Sequence, residues 1–251
     1  MSRKELSNIQ WNEIKDHLPP ETGRRGRPAK CNRLMVNAIL WILRTGAPWR
    51  DLPASYGPWN TVYTRFNRWS EQGIWRDILD ILSFFSDDEA RMPDGSVIRA
   101  HQHAAGAAGG QVNQALGRSV GGFSTKIHAL VDALGYPVDI RLTAGQVHDS
   151  VPAKELLENQ PAEYVIADRA YDSDEIVSFI ISQGGVPVIP SRRCRKAPRE
   201  YDRHIYKERH LVEIFFNKIK HYRRVATRYE KLAANFLSMV LIASCMVWIG
   251  F

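Results

Sequence analysis

The residues with the clearest chemical potential lie in one stretch, Tyr206 to Lys220, which reads YKERHLVEIFFNKIK. On a helix that turns about 100° per residue, positions 0, 3, 7 and 14 of this stretch fall within roughly 60° of one another. Those positions hold Tyr206, Arg209, Glu213 and Lys220. A single acid is therefore bracketed by two cations and a phenol on a narrow polar stripe, while apolar residues cover the rest of the helix.

An alternative interpretation of this stripe is a solvated helix surface with intrahelical ion pairs. The immediate neighbours of Glu213 argue against it, because Val212 and Ile214 are both apolar. A carboxylate between them is expected to be half-buried, and a half-buried acid needs a partner or a metal ion.

Two aspartates are candidates for that partnership. Asp168 ends the short apolar strand predicted for Tyr164 to Ala167, and Asp94 precedes a strand predicted for Ser96 to Arg99. Carboxylates at the ends of neighbouring strands point into one crevice. Together with Glu213 they would form a three-carboxylate cluster suited to Mg²⁺. Each aspartate alone also fits an ordinary structural role, since Asp is common at strand ends and turns.

The positive charge of the chain is concentrated near these residues. The 251 residues carry a net charge of +7, yet between Arg192 and Lys231 fourteen Lys and Arg face only five acids. Arg223 and Arg224 lie in this segment, directly after the polar stripe. Such a surplus fits binding to a phosphate backbone, whereas a merely solubilising surface mixes the signs more evenly. No GxxxxGK[ST] motif is present, so nothing indicates use of a nucleoside triphosphate.

The elements that precede the crevice are predicted to be helical. Helices are expected at 7–17, 32–43, from Pro58 to about residue 72, and at 74–85, with Arg65 and Arg68 facing outward on the third. Three of these helices, with basic residues on the later one, suit a helix-turn-helix DNA reader or a helical dimerisation module. The basic arm at 22–28 suits either a DNA groove or a solvated loop. The tryptophans of this region are interpreted as core residues.

From residue 89 onward strands alternate with helices. The predicted strands are 96–99, 126–132, 138–142, 164–167 and 186–189, and the predicted helices are 151–157, 174–182, 206–220 and the apolar run 236–251. A hairpin followed by such alternation indicates a mixed sheet flanked by helices, of the α/β class. We therefore expect a small all-α region at 1–88 and an α/β domain at 89–251. The apolar run is expected to be a buried closing helix, because a membrane span needs about 20 residues.

The cellular context follows from what the sequence lacks. Cys31, Cys194 and Cys245 are isolated and odd in number, which indicates a reducing compartment without disulfides. The first residues lack the apolar core of a signal peptide. We expect a cytoplasmic, nucleoid-associated protein that does not enter a membrane.

Several long segments resemble bacterial insertion-sequence transposases of the DDE class, closest to the insertion-sequence-five-like group of the four/five superfamily. They are GxPWRDLP, PWNTVYTRFNRW, SVIRAHQHAAGA, GRSVGGFSTKIHALVDALGYP, LTAGQVHDS, VIADRAYDSDEI and YKERHLVEIFFNKIKHYRRVATRYEKLAANF. The signature of that class, Tyr, two residues, Arg, three, Glu, six, Lys, matches Tyr206, Arg209, Glu213 and Lys220 without a gap. The resemblance covers nearly the whole chain.

The resemblance implies a ribonuclease-H-like catalytic fold and cut-and-insert chemistry on double-stranded DNA that depends on Mg²⁺, with Mn²⁺ as an alternative. Carried over by position, Asp94, Asp168 and Glu213 would be the catalytic metal ligands. Contacts with DNA are expected from basic and aromatic side chains, namely Tyr206, Arg209, Lys220, Arg223, Arg224, Arg65 and Arg68. Two transposon ends must be paired, so a homodimer on DNA is expected.

Two positions depart from the pattern of the resemblance. Gly95 stands where the family usually has Ser or Thr, directly after the first aspartate, and Val120 replaces a usual arginine. A rival interpretation is therefore a decayed element whose protein still binds its ends and represses it. A metal-dependent nuclease that never joins strands is a third. The pair His148 and Asp149 is interpreted either as support for the carboxylates or as an ordinary loop.

Overall fold

The computed structural model describes residues 5–21, 31–107, 110, 112–119 and 121–251. Within them the chain forms seven strands and nine α-helices. The helices are α1 (Asn8–Ile14), α2 (Asn32–Thr45), α3 (Trp59–Glu71), α4 (Ile74–Leu82), α5 (Ala153–Leu157), α6 (Asp174–Ser182), α7 (His210–Lys220), α8 (Arg223–Ala226) and α9 (Ala233–Trp248). The predicted basic arm at 22–28 and the departure at Val120 lie outside the described residues.

One mixed sheet carries all seven strands, which are β1 (Ala90–Ala100), β2 (Gly117–Ser119), β3 (Gly122–Asp132), β4 (Pro137–Ala144), β5 (Tyr164–Ile166), β6 (Val186–Val188) and β7 (Thr227–Arg228). Along its main body the order is β4, β3, β1, β5, β6. Strand β3 runs antiparallel to its neighbours β4 and β1, whereas β5 and β6 run parallel to β1. This order, with helices on both faces, is that of a ribonuclease-H-like fold and confirms the predicted fold class.

The two faces of the sheet have different surroundings. Met92 and Ile98 of β1 lie in a large core shared with α7, α9 and the N-terminal helices. Residues alternate along a strand, so Asp94 points to this same face and Gly95 to the other. The opposite face is covered by α5 and α6, and its smaller core includes Leu130 and Tyr171.

Helix α9 lies at the centre of the large core, which confirms the predicted buried closing helix. Its Phe236 and Met239 are fully buried, and it packs against α3, α4 and β4. Polar contacts fix its ends, since Asn235 donates to Asn67 at 2.9 Å and Trp248 donates to the carbonyl of Pro137 at 2.8 Å. The core is thus continuous across the predicted boundary at residue 88. No helix in the described part of the chain is long and apolar enough to cross a membrane.

Several element boundaries differ from the prediction. The strand predicted for 96–99 is the 11-residue β1, and Asp94 lies inside it rather than before it. Its pairing with β3 from Arg91 to Arg99 supplies the hydrogen bonds that extend it. The helix predicted for 206–220 begins with a 3-10 turn, Ile205–Arg209, and becomes α7 only at His210. Tyr206 and Arg209 therefore precede the helix that carries Glu213.

Candidate active site

Asp94 and Asp168 are brought to the same level by adjacent parallel strands. β1 and β5 pair in parallel, Ala90 with Tyr164 and Arg91 with Val165. The same offset places Asp168, just past the end of β5, level with Asp94. Asp168 also begins a 3-10 turn, because its Oδ1 accepts the N–H of Ala170 at 2.7 Å. A backbone donor therefore fixes the orientation of this carboxylate.

Glu213 reaches the pair through Arg209. The guanidinium donates to Asp94 Oδ2 at 3.1 Å from Nη1 and pairs with Glu213 Oε1 through Nη2. The Arg209 side chain is only 19% exposed, so the ion pair with Asp94, itself 18% exposed, is largely shielded from water. Glu213 is more exposed than predicted, at 56%, and the neighbouring Ile214 is also exposed.

The electrostatics of the site reflect this burial. Burial raises the pKa of the Asp94 carboxyl, and the N–H of Gly95 and the charge of Arg209 offset that rise only in part. Asp168 adds to the rise, which places it within electrostatic range of Asp94. For Arg209, burial lowers the pKa, but the Asp94 and Glu213 carboxylates outweigh burial and raise it overall. One guanidinium thus pairs with two acids.

The donor set fits a divalent cation in its chemistry, because three carboxylates supply the hard oxygen ligands that Mg²⁺ takes. Within the described residues, however, no three His, Cys, Asp or Glu side chains lie close enough together to hold a metal ion as they stand. The side chain of Arg209 lies between Asp94 and Glu213 instead. Arg209 therefore occupies the place between two of the three candidate ligands.

A second polar cluster lies on the opposite face of β1. Asp149 pairs with Lys126 Nζ at 3.2 Å, and its Oδ1 is 3.6 Å from His128 Nδ1. A Cβ atom on Gly95 would lie 2.0 Å from Asp149 Oδ1. Asp149 therefore occupies the space that the Ser or Thr side chain of the resembling family would need. Of the pair His148 and Asp149, only Asp149 approaches the carboxylate strand; His148 is exposed and bonds Ser150.

The predicted DNA contacts divide into exposed and buried side chains. Arg68, Lys220 and Arg223 are exposed, and Tyr206 is half-buried beside Tyr201, with ring centroids 5.4 Å apart. These side chains remain available to a polyanion.

Two of the predicted contacts are buried. Arg65 was expected to face outward, but its guanidinium donates to Asn32 Oδ1 at 3.0 Å and lies 5.7 Å from the Trp69 ring. Arg224 pairs with buried Glu230 at 2.7 Å and donates to the carbonyl of Ala47. Their positions are explained by these internal acceptors, which the sequence does not reveal, and we omit both from the proposed DNA surface.

The sheet order, the level pair of aspartates and the cation-bridged glutamate define a ribonuclease-H-like protein with a carboxylate site. A family model described as "Transposase DDE domain" matches residues 86–248. Another, described as "Putative transposase of IS4/5 family (DUF4096)", matches residues 6–79. The chain therefore belongs to the IS4/5 family of DDE transposases.

Two of three similar relatives are named as transposases. The chain is 41% identical, over 50% of its length and 98% of the relative, to a Brucella ovis protein named "Putative transposase for insertion sequence element IS6501". The uncharacterized protein y4sN of Sinorhizobium fredii is 44% identical to the chain. This match covers 41% of the chain and 82% of y4sN. A Burkholderia cepacia protein named "Putative transposase for insertion sequence element IS402" is 28% identical to the chain; the match covers 49% of the chain and 62% of that relative.

Proposed function

We propose that this protein binds the terminal inverted repeats of its own insertion sequence, cleaves the DNA at each end and joins the freed 3′-hydroxyls to target DNA. The observation that carries this proposal is the level placement of Asp94 and Asp168 on adjacent strands, with Arg209 linking Asp94 to Glu213. That arrangement supports a shared role for three acids that are distant along the chain.

The three carboxylates of Asp94, Asp168 and Glu213 would hold Mg²⁺, or Mn²⁺ in its place. When bound, the metal supplies activation of an attacking oxygen and charge stabilisation of the leaving oxygen. The chain itself orients the ligands: the Gly95 N–H donates to Asp94 Oδ1 at 2.8 Å, and the Ala170 N–H holds Asp168.

Arg209 has two roles in this proposal. Without DNA it neutralises Asp94 and Glu213 and keeps the carboxylates apart. A DNA phosphate would offer the guanidinium an alternative bidentate partner. When Arg209 moves to the phosphate, Asp94 and Glu213 become free to bind a metal ion. Tyr206, Lys220 and Arg223 extend the contact along the DNA backbone, and Arg68 contributes from the N-terminal helices. Two protomers would pair the two ends as a homodimer.

The proposal is tested with purified protein, Mg²⁺ and a duplex that carries the terminal repeat found beside the gene. We expect nicking at the repeat end and strand-transfer products with the wild-type protein. Asp168→Asn should bind the duplex equally well but not cut it. Asp16→Asn, an exposed acid on the N-terminal helices, is the matched control and should cut normally.

The outcomes separate the alternatives. Binding without cleavage by the wild-type protein would support a repressor from a decayed element. Cleavage without joining would indicate a nuclease that never transfers strands. Cleavage that survives in Asp168→Asn would refute the assignment of the carboxylates.

A further inference from the structure

A basic loop lies against the turn that Asp168 begins. The loop consists of residues 191–199, which read SRRCRKAPR and carry five cations and no acid. It follows β6, whereas the turn Arg169–Tyr171 follows β5. Because β5 and β6 are parallel neighbours, the segments that follow them meet at the same end of the sheet, which is where ligands bind in open α/β sheets.

Hydrogen bonds hold the basic loop to that turn. Arg192 donates from Nε to the carbonyl of Arg169 at 3.0 Å and from Nη2 to the carbonyl of Ala170 at 2.7 Å. The loop also closes on itself, since the N–H of Arg199 donates to Ser191 Oγ at 2.7 Å. Its backbone therefore has a defined position beside the turn.

A single buried carboxylate, that of Asp172, organises the cations of the loop. Its side chain is only 1% exposed. It accepts the backbone N–H of Arg192 at 2.7 Å and Nε–H of Arg195 at 2.9 Å, and it pairs with Arg199. The exposed Asp174 pairs with the same Arg195 and Arg199. Three of the five cations are thus directed towards the segment that follows β5.

The other two cations of the loop, Arg193 and Lys196, are exposed, as is Arg169 in the turn. Within the described part of the chain, no carboxylate lies at ion-pair distance from any of these three side chains. A solubilising surface mixes charges of both signs, whereas this surface presents only one. Unpaired cations on an ordered backbone fit the repeated negative charge of a phosphate backbone.

We propose that residues 191–199 form a DNA-binding loop, which Asp172 holds beside the Asp168 turn so that Arg193 and Lys196 contact phosphates of a bound duplex. The inference rests on the proposed function, since it assumes that DNA is bound at Asp168. It adds two phosphate contacts and a positioning residue, Asp172, which acts through the arginines of the loop and does not itself touch DNA.

The phosphate contacts are tested by the salt dependence of DNA binding in EDTA, where no cleavage takes place. Wild type and the double variant Arg193→Gln/Lys196→Gln are compared on a duplex of the element end and on a duplex of unrelated sequence. Each phosphate contact contributes about 0.9 to the slope of log affinity against log salt. The double variant should therefore reduce that slope by about 2, and the exposed Lys15→Gln should leave it unchanged.

The two duplexes distinguish the sources of the phosphates. A loss on the end duplex alone would place the loop on the element end, and equal losses would place it on any DNA bound at Asp168; both results support the contact. A slope of the double variant within about 0.5 of wild type on both duplexes would overturn it.

Asp172→Asn and Asp174→Asn separate positioning from charge. Each variant removes one negative charge from the basic surface, so electrostatics alone predicts tighter DNA binding by both. We expect this result for Asp174→Asn, whose carboxylate is 80% exposed. Asp172→Asn should instead bind about tenfold more weakly, as after the loss of two phosphate contacts. Equal affinities of the two variants, with circular dichroism showing both folded, would overturn the role of Asp172.

Cys194 reports on the loop in the unaltered protein, because it lies within the loop and is exposed. Its alkylation by N-ethylmaleimide, followed by mass spectrometry of the loop peptide, tests the contact even where Asp172→Asn fails to fold. We expect the duplex to slow this alkylation several-fold, and an unchanged rate would overturn the inference. The proposed function fails separately, if the wild-type protein with Mg²⁺ does not cut the end duplex.

Discussion

Replacement of Gly95 by alanine is the most direct test of how the two faces of β1 are coupled. Two effects oppose each other. Alanine in a strand is favoured over glycine by roughly 0.5–1 kcal/mol, because glycine loses more conformational freedom on folding. The new methyl group, however, would lie 2.0 Å from Asp149 Oδ1 and 2.9 Å from its Cγ, so the carboxylate must withdraw by about 1 Å or more.

The steric effect is expected to win. Overpacking of this kind costs about 1–3 kcal/mol. The withdrawn carboxylate also loses its 3.2 Å contact with Lys126. This ion pair is only partly buried, since the Lys126 side chain is 11% exposed and the Asp149 side chain is 24% exposed. Breaking a fully buried pair costs about 3–5 kcal/mol, and the partial exposure of Asp149 lowers that figure. We therefore expect Gly95→Ala to lower the free energy of unfolding by about 2–4 kcal/mol.

The assay is urea unfolding in EDTA of the wild type, Gly95→Ala, Asp149→Ala and the double variant. Without the Asp149 carboxylate, the nearest remaining atom to the new methyl group is His128 Nδ1, at 3.3 Å. Gly95→Ala should therefore cost little in the Asp149→Ala background, with a coupling energy of about 1–3 kcal/mol. Additive effects, with coupling below about 0.5 kcal/mol, would refute the packing of Asp149 over Gly95.

Three further predictions concern other parts of the protein. Burial lowers the pKa of His128 to about 4, so the unfolded chain binds its proton first as the pH falls from 6.5 to 4. Up to about 3 kcal/mol of stability should be lost across that window, and His128→Gln should flatten the profile. Arg224 and Glu230 form a buried ion pair, so removing either partner leaves an unpaired buried charge. Arg224→Met alone or Glu230→Leu alone should therefore lower the free energy of unfolding in urea by about 3–5 kcal/mol, and the double variant should lower it much less. A double variant that loses the sum of the two single losses would contradict this. Arg223→Gln should reduce the slope of log affinity for DNA against log salt by about 1, with Lys15→Gln as a control that leaves it unchanged.

Much of the fold could be predicted because its signals are local. The helix predicted for 174–182 coincides with α6, which the side chain of Ser173 caps. Short apolar runs bounded by turns located β5 and β6 within a residue. β7 was missed because two residues, Thr227–Arg228, form a strand only through pairing with the end of β1.

The three acids of the candidate site were proposed from the sequence, whereas their surroundings could not be. Asp94, Asp168 and Glu213 stand out through their positions beside predicted elements and through the resemblance. Asp149 was left between two interpretations, because only the fold brings it against Gly95. Lys126 and His128 gave no signal, since single polar residues on apolar strands look like ordinary core positions. The burial of Arg65 and Arg224 depends on acceptors distant along the chain.

The shared core beneath α9 limits how this protein can be recombined. Asn67 and Trp75, on the N-terminal side of residue 88, contact Asn235 and Cys245 on the other side. A chimera that exchanged residues 1–88 with those of a relative would have to match the surface of α9. The N-terminal helices and the sheet domain are therefore expected to diversify together among such elements, rather than as interchangeable modules.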